Sequence, residues 1–229
     1  MKHLKRHINI AINKEYIEIQ KYAFRKYKIK TVENKHTHLV PEELEQLERL
    51  SLTGKHMKLQ KSLDAFLFCC YAGMRYSDFT NLSKKNIVDI NQETWLIYKS
   101  VKTGTEVRLP LYLLFAGKGI VILNKYRNNL EDFFRLRDNS NINKDLIIIA
   151  KLAGLSKKIS FHTARHTNAT LLIYNGVNIT TVQKLLGHKS VKTTQVYTNI
   201  MDMTIVHDLE KMKQAALGIK KKTDNSFNK

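Results

Sequence analysis

The sequence is poor in cysteine, in acidic residues and in long apolar runs, and each shortage excludes a class of protein. Its only cysteines, Cys69 and Cys70, are adjacent. Neighbouring cysteines rarely form an unstrained disulfide, so a disulfide-stabilised secreted scaffold is excluded. No apolar run approaches the roughly 18 residues that a membrane span needs, and the basic N-terminus lacks the apolar core of a secretory signal. We therefore expect a cytoplasmic protein with no membrane partner and with two reduced thiols in its core.

The shortage of acids leaves a large excess of positive charge. Lysine and arginine total 39 against 20 aspartate and glutamate residues, so the formal net charge is +19. A compact fold with this excess repels itself unless an anionic partner binds, and a nucleic-acid backbone is the commonest such partner. Hydrophobic residues still make up 43% of the chain, which is ordinary for a globular protein. Composition alone therefore indicates a folded protein that binds nucleic acid.

Patterning divides the 229 residues into three parts. Residues 1 to about 30 are predicted to form one basic amphipathic helix, and the polar residues 31–38 are predicted to form a linker. One helix cannot build a core, so residues 1–38 are interpreted as the remnant of a further domain or as a helix docked on the main domain. This main domain is expected over residues 39–217, and residues 218–229 are expected to be a disordered tail.

The main domain is predicted to be mainly α with one small antiparallel β-hairpin. β-Branched and aromatic residues at 95–101 and 106–109, joined by a Thr-Gly turn, predict the hairpin. A polar connection is expected at 138–145, before an apolar run at 146–150. Gly73, Gly176 and Gly187 stand where helices should end. Two helices are expected to begin at Pro41 and near Tyr76. Further helices are expected over residues 59–71, 120–137, 162–174, 180–186, 191–197 and 203–217.

Three short segments carry residues that suit chemistry on a phosphodiester. Arg75 follows the helix-breaking Gly73, Arg165 lies in the His-x-x-Arg-His segment at 162–166, and a Leu-Gly-His turn at 186–188 precedes Tyr197. A phosphodiester gains negative charge over its oxygens as a fifth ligand attaches to phosphorus. An arginine can fork two N–H donors onto these oxygens, and a tyrosine can attack the phosphorus.

In these segments the sequence resembles the tyrosine recombinase, or phage-type integrase, family, from about residue 39 to residue 215. The resemblance implies the catalytic-domain fold of that family and cleavage and rejoining of DNA strands through a 3′-phosphotyrosyl intermediate. It implies that Tyr197 is the nucleophile and that Arg75, Arg165 and His188 donate to the phosphate oxygens. It also implies that His162 supports the attack of the phenol as a base or as an orienting group.

The departing 5′ oxygen is a poor leaving group and needs a general acid. Lys102, at the end of the first predicted hairpin strand, matches the mobile hairpin lysine of the family. Lys99 is the rival candidate, and we favour Lys102 because it lies nearer the turn. His166 is interpreted as a structural histidine beside the site.

Neither a metal ion nor ATP is implied by the resemblance, so no cofactor is expected. The sequence agrees, because it has no Gly-x-x-x-x-Gly-Lys loop and no clustered carboxylates of the two-metal nuclease kind. His162 and His166 have the four-residue spacing of a zinc-protease helix, but the residues between them supply no catalytic glutamate. No metal ligand is therefore expected.

Several alternatives for function and partners stay open. The resemblance implies duplex DNA as partner, a homotetramer on paired sites with the helix at 203–217 exchanged between subunits, and accessory DNA-bending proteins as optional partners. It also implies a helical core-binding domain whose C-terminal end is residues 1–38.

We expect an integrase of a mobile element, with a housekeeping resolvase-type recombinase or a type IB topoisomerase as enzymatic alternatives. The short helices around Gly187 also resemble a helix-turn-helix, so a non-enzymatic DNA-binding module is a further alternative. An aromatic platform for RNA is missing.

Overall fold

The computed structural model describes residues 1–25, 27, 37–197 and 213, and the chain divides into two compact units, Met1–Lys35 and His36–Lys229. In the first unit, helix α1 (Lys2–Asn13) is followed by a single 3-10 turn, Ile19–Lys21. The expected long helix is therefore wrong for residues 14–25. The helix ends early because Glu15 adopts a left-handed backbone conformation with φ 60°, and the amide of Tyr16 donates back to the Ala11 carbonyl as in a C-terminal cap.

The second unit combines short helices with one small sheet, which confirms the predicted fold class. Strands β1 (Ile87–Ile90), β2 (Glu93–Lys99) and β3 (Glu106–Pro110) pair antiparallel in chain order. The helices are α2 (Pro41–Glu48), α3 (Gln60–Ala72), α4 (Tyr76–Phe79), α5 (Lys118–Lys125), α6 (Leu130–Phe134), α7 (Asn139–Leu152), α8 (Phe161–Tyr174), α9 (Ile179–Leu186) and α10 (Lys192–Gln195).

Helix α3 forms the centre of the hydrophobic core. It is apolar on all sides from Ala65 to Ala72, and every residue from Ser62 to Ala72 is buried, including the free thiols of Cys69 and Cys70. The helix packs along α8 and α5, and a tilted aromatic ring from α4 and an edge-on ring from α6 cover it. Its C-terminal end is therefore a rigid point from which the following segment projects.

The sheet has one strand more than the predicted hairpin. Strand β1 was missed because four residues are too short to show the alternation that predicts a strand. Lys99 pairs with Glu106 at the end of the β2–β3 ladder, so residues 100–105 form the turn. Since side chains alternate along a strand, Leu96, Tyr98 and Ser100 all face the core.

Two expectations for the middle of the domain are wrong. The single helix expected over 120–137 is divided into α5 and α6, because Asn129 caps α6 by accepting from the Asp132 amide. The polar connection expected at 138–145 is the first half of α7, whose cap is the Asp138 side chain accepting from the Asn141 amide. Asparagine has a low helix propensity, but this cap and a buried face that includes Ile142 outweigh it.

The helices near the C-terminal end of the described chain lie close to their expected positions. Helix α8 ends at Tyr174 and its cap is Asn175, one residue before the expected Gly176, whereas α9 is capped by the left-handed Gly187 as expected. Helix α10 is shorter than the expected 191–197. The helix expected at 203–217 and the tail expected at 218–229 lie outside the described residues. Over residues 1–25 and 37–197, no helix combines the length and apolarity that crossing a bilayer requires.

Candidate active site

Arg75 lies directly beyond the C-terminal end of α3. Gly73 ends the helix with φ 66°, and a Cβ there would lie 2.6 Å from Asn168 Oδ1, so only glycine fits. Nη1 of Arg75 donates to Ser100 Oγ at 3.2 Å and to Asp78 Oδ2 at 3.5 Å. Within the described part of the chain both contacts use Nη1. The other N–H groups of this guanidinium can therefore bind an external acceptor.

Arg165, on α8, is only 1% exposed. Its Nη1 donates to the Gly73 carbonyl at 2.7 Å and its Nη2 to the Leu186 carbonyl at 2.6 Å. Both carbonyls lie at helix C-terminal ends, where backbone acceptors lack intrahelical partners and the helix dipole favours a cation. Burial and the nearby charge of Arg75 lower the pKa of Arg165 to about 10, so the guanidinium stays protonated at neutral pH. Arg165 thus joins the end of α3 to the end of α9.

His188 follows the left-handed Gly187 and is 7% exposed. Burial first, and then the charges of Arg165 and Arg75, lower its pKa to about 4. The imidazole is therefore neutral at pH 7. Its Nδ1 lies 2.9 Å from the Thr194 hydroxyl, and when this hydroxyl donates, Nε2 carries the ring hydrogen and can donate outward.

Tyr197 lies against one histidine of α8, His166, which in turn packs on a second. Its hydroxyl is 3.0 Å from Nδ1 of His166, whose ring packs edge-on against His162 with centroids 4.4 Å apart. Tyr197 is 5% exposed, and burial raises the pKa of its phenol, while the charges of Arg165 and Arg75 oppose this rise. Sequence reasoning made His166 a structural residue, but His166 is the histidine whose Nδ1 meets the phenol.

Lys102 is exposed in the turn between β2 and β3. It lines a cavity of about 340 Å³ together with Arg75, His162, Tyr76, Ser77 and Asn139. Its charge and that of His162 also help to lower the pKa of His188. Lys99 lies instead beside Gly104, with its Cε 4.0 Å from the position of a Gly104 Cβ.

The six predicted residues therefore gather in one region. Three of them line the cavity. The other three are buried, and the charges of the arginines act on both His188 and Tyr197. The residues of the first group are Arg75, Lys102 and His162, and those of the second are Arg165, His188 and Tyr197.

Sequence reasoning missed the buried acid that organises this region. Asp78 accepts from the Val101 amide at 2.8 Å and from the Ser100 hydroxyl at 3.3 Å, and it faces Arg75. Two features of the sequence could have indicated this role of Asp78. It lies three residues after Arg75, and the alternation of strand β2 turns Tyr98 and Ser100 toward the same buried side. A buried carboxylate is paired or hydrogen-bonded, so an acid next to a functional arginine indicates an orienting role.

The donor set suits an anionic ligand. Arginines, a lysine and imidazoles converge here, and such groups bind phosphate or carboxylate oxygens. Within residues 1–25 and 37–197, no three His, Cys, Asp or Glu side chains gather in a way that could hold a metal ion.

Comparison with known proteins gives this arrangement a family context. Residues 37–203 match the family model described as the phage integrase family. The tyrosine recombinase of Pseudothermotoga lettingae is 30% identical over 181 residues, which cover 77% of this chain and 60% of that protein. The tyrosine recombinase XerC of Rickettsia prowazekii is 29% identical over 185 residues, which cover 76% of this chain and 58% of that protein. The chain thus spans about 60% of the length of these curated relatives.

A solved structure shares the fold. The Tn1549 transposon integrase in complex with a circular intermediate DNA superposes with a TM-score of 0.66, over 92% of this chain and 77% of that one. At 16% identity this likeness concerns the fold alone.

Proposed function

This chain belongs to the phage integrase family, the tyrosine recombinases, and on that premise we propose that it cleaves and rejoins duplex DNA at specific sites. The observation that carries the proposal is the convergence of Arg75, Arg165 and Lys102 around His188, with the phenol of Tyr197 within reach of both arginine charges. This set provides donors for the oxygens of one phosphodiester, a proton for its leaving group and a nucleophile for its phosphorus.

The arginines and His188 are proposed to hold the non-bridging oxygens. Arg165 uses two of its five N–H groups on backbone carbonyls, and Arg75 uses one nitrogen on Ser100 and Asp78. Each side chain is thereby oriented while it keeps donors for the phosphate. Neutral His188 adds a third donor through Nε2. Groups of this kind each contribute about 10²–10³ in rate when they meet the charge that develops in the transition state.

The proposed cleavage step involves two proton transfers, one from the attacking phenol and one to the departing 5′ oxygen. The Tyr197 oxygen bonds to phosphorus and the bond from phosphorus to the 5′ oxygen breaks. The phenol proton passes to an imidazole, and His166 is the one in contact, with His162 packed against it in the proposed supporting role. The Lys102 ammonium protonates the 5′ oxygen. The 3′-phosphotyrosyl linkage keeps the energy of the broken bond, so the 5′ hydroxyl of another strand can reseal the DNA without ATP.

Two biological settings use this chemistry. Integration and excision of a mobile element is the setting expected from the sequence, and the 29% identity to XerC favours a resolvase-type housekeeping role instead. The DNA sites separate them. Sites at the two ends of a movable segment would support the first, and a single site on the host replicon would support the second.

The proposal extends to partners that the family resemblance implies. We propose duplex DNA as substrate, a homotetramer on paired sites, residues 1–38 as the end of a core-binding domain, and action in the cytoplasm. Accessory DNA-bending proteins are optional partners in this proposal. Since the net charge is +19, binding should fall steeply with salt as counterions compete for phosphates.

A nicked duplex tests the proposal most simply. The duplex carries a site that the full chain selects from a random-sequence library, with a nick placed so that the cleaved fragment diffuses away and traps the intermediate. Wild type should form an adduct that resists denaturant, and Tyr197→Phe should form none. Tyr112→Phe is the matched control, because Tyr112 packs on Trp95 and should form the wild-type amount of adduct.

The same assay distinguishes the alternatives. A DNA-binding module without catalysis predicts that no variant forms an adduct, although wild type shifts the duplex. A type IB topoisomerase predicts relaxation of supercoiled plasmids that lack the selected site, by a monomer. An adduct that persists in Tyr197→Phe would remove Tyr197 from its proposed role.

A further inference from the structure

The turn that carries Lys102 is closed by its own backbone. The Ser100 amide donates to the Thr105 carbonyl at 2.8 Å, and the Gly104 amide donates to the Ser100 carbonyl at 2.7 Å. The side chain of Lys102 is exposed and has a flexible four-carbon stem, so the backbone of this turn decides where its ammonium can reach.

The residues on either side of Lys102 are fastened to different parts of the site. The Val101 amide donates to Asp78 Oδ1 at 2.8 Å, and Asp78 also faces Arg75. On the other side, the Thr103 hydroxyl donates to the Gly187 carbonyl at 3.2 Å. Lys102 therefore stands between one anchor to the arginine after α3 and one anchor to the helix end after α9.

The second anchor is a direct contact between the hairpin and the turn before His188. A Cβ at Gly187 would lie 2.6 Å from Val107 Cγ2, so the Gly187 backbone rests on strand β3. His188 is the next residue, and two hydrogen bonds hold its backbone on Gln183. The His188 amide donates to the Gln183 carbonyl, and the Gln183 side-chain amide donates to the His188 carbonyl. The Gly187 carbonyl is thus a fixed acceptor, and Thr103 is the hairpin side chain that uses it.

We propose that Thr103 is a positioning residue, which holds the hairpin turn on Gly187 and so places the Lys102 ammonium beside the departing 5′ oxygen. This rests on the proposed function, in which Lys102 is the general acid. Arg75 and His188 bind oxygens of the phosphate whose bond to the 5′ oxygen breaks. A turn tied to both residues therefore keeps the proton donor at a constant distance from that oxygen. Thr103 itself touches neither substrate nor the transferred proton.

The expected effect follows from removing the hydroxyl at constant volume. Thr103→Val loses the hydrogen bond that docks the turn on Gly187, together with a longer one of 3.5 Å that the hydroxyl accepts from the Thr105 amide. Its single-turnover cleavage rate should fall about 10-fold. Thr103→Ser keeps the hydroxyl and should cleave at the wild-type rate. Thr103→Ala is a second deletion of the hydroxyl, and melting temperatures establish that each variant is folded.

A change of leaving group separates positioning of the acid from general disturbance of the site. The full chain is given two nicked duplexes, one with the ordinary 5′ oxygen and one with sulfur in its place at the scissile phosphate. A thiolate leaves without a proton, because a thiol has a pKa near 8.5, far below that of an alcohol. On the sulfur duplex, Lys102→Ala and Thr103→Val should both regain the wild-type rate. Arg75→Ala and His188→Ala should stay slow on both duplexes.

Each other outcome counts against a particular claim. Thr103→Val that cleaves the oxygen duplex as fast as wild type overturns the inference. Thr103→Val that stays slow on sulfur, while Lys102→Ala is restored, shows that Thr103 supports the phosphate grip instead; this overturns the inference and leaves the proposed function intact. Lys102→Ala that stays slow on sulfur removes Lys102 as the acid; this overturns the inference and the proposed role of Lys102, while cleavage through Tyr197 is tested separately by the adduct.

Discussion

The phenol oxygen of Tyr197 and Nδ1 of His166 lie 3.0 Å apart, and both side chains are buried. This contact joins the proposed nucleophile to α8, the helix that also carries Arg165 and His162. In the proposed cleavage step the phenol proton passes to this imidazole across the contact. The strength of the contact can be measured in the folded protein without DNA.

A double-mutant cycle should detect this contact in the free energy of unfolding. Tyr197→Phe removes the hydroxyl and His166→Ala removes its partner, so the double variant should be more stable than the two single losses predict. We expect a coupling energy of about 0.5–1.5 kcal/mol, the usual net value of one hydrogen bond, from urea unfolding. Tyr112→Phe combined with His166→Ala is the control and should be additive. A Tyr197 pair that is equally additive would show that the contact contributes nothing to stability.

Gly187 should tolerate alanine less well than another glycine of similar conformation. Gly187 and Gly154 have φ 62° and 74°, but a Cβ at Gly187 meets Val107 while a Cβ at Gly154 meets nothing within 4 Å. Gly154→Ala should therefore cost only backbone strain, about 1 kcal/mol, and Gly187→Ala about 3 kcal/mol. Thermal unfolding of the two variants checks the difference. Equal losses would mean that the hairpin does not rest on Gly187 in solution.

Lysine should replace Arg165 less well than it replaces Arg75. One ammonium cannot reach both the Gly73 and the Leu186 carbonyl, so Arg165→Lys leaves a buried acceptor without its charged donor. We expect Arg165→Lys to lose about 2–3 kcal/mol of stability and Arg75→Lys to lose about 1 kcal/mol or less. Both should slow cleavage about 10²–10³-fold. Urea unfolding and adduct formation measure the two effects, and equal stabilities would contradict the proposed bridge between the helix ends.

The parts of the fold that the sequence predicted are those that local pattern determines. Gly73 and Gly187 mark real helix ends because both need a left-handed backbone, and α3 is apolar over its last eight residues, from Ala65 to Ala72. Helix α7 was mistaken for a connection because its first turns contain asparagines, although its apolar positions, Ile142, Leu146 and Ile149, recur at helical spacing. Strand β1 is too short to show a period.

The site was predictable in its residue types and less so in its contacts. The order of Arg75, Lys102, His162, Arg165, His188 and Tyr197 was visible in the chain. The partners that fix these side chains lie far away in sequence or on another element. Asp78 reaches the hairpin turn, and Thr103 reaches the end of α9. His166 meets Tyr197 across 31 residues, a pairing that depends on how α8 packs rather than on any local motif.

The pKa of His188, lowered to about 4 from an ordinary 6.5, should make the protein less stable in mild acid. As pH falls through about 6.5 the unfolded chain protonates this imidazole, whereas the folded chain does so only near pH 4, so acid favours unfolding across that interval. The contribution of His188 is complete above pH 6.5 and is lost toward pH 4. Urea unfolding at about pH 7 and about pH 4.5 should show a larger loss in wild type than in His188→Gln. Equal losses would mean that His188 is not held neutral.

Identifying the residue that carries the DNA tests the central claim most directly. After the trapped adduct is digested with nuclease and trypsin, mass spectrometry should find a nucleotide remnant on the peptide of residues 193–211, in which Tyr197 is the only tyrosine. We predict that fragmentation places the added phosphate on Tyr197. A remnant on a peptide that lacks Tyr197 would contradict the proposal that this phenol is the nucleophile.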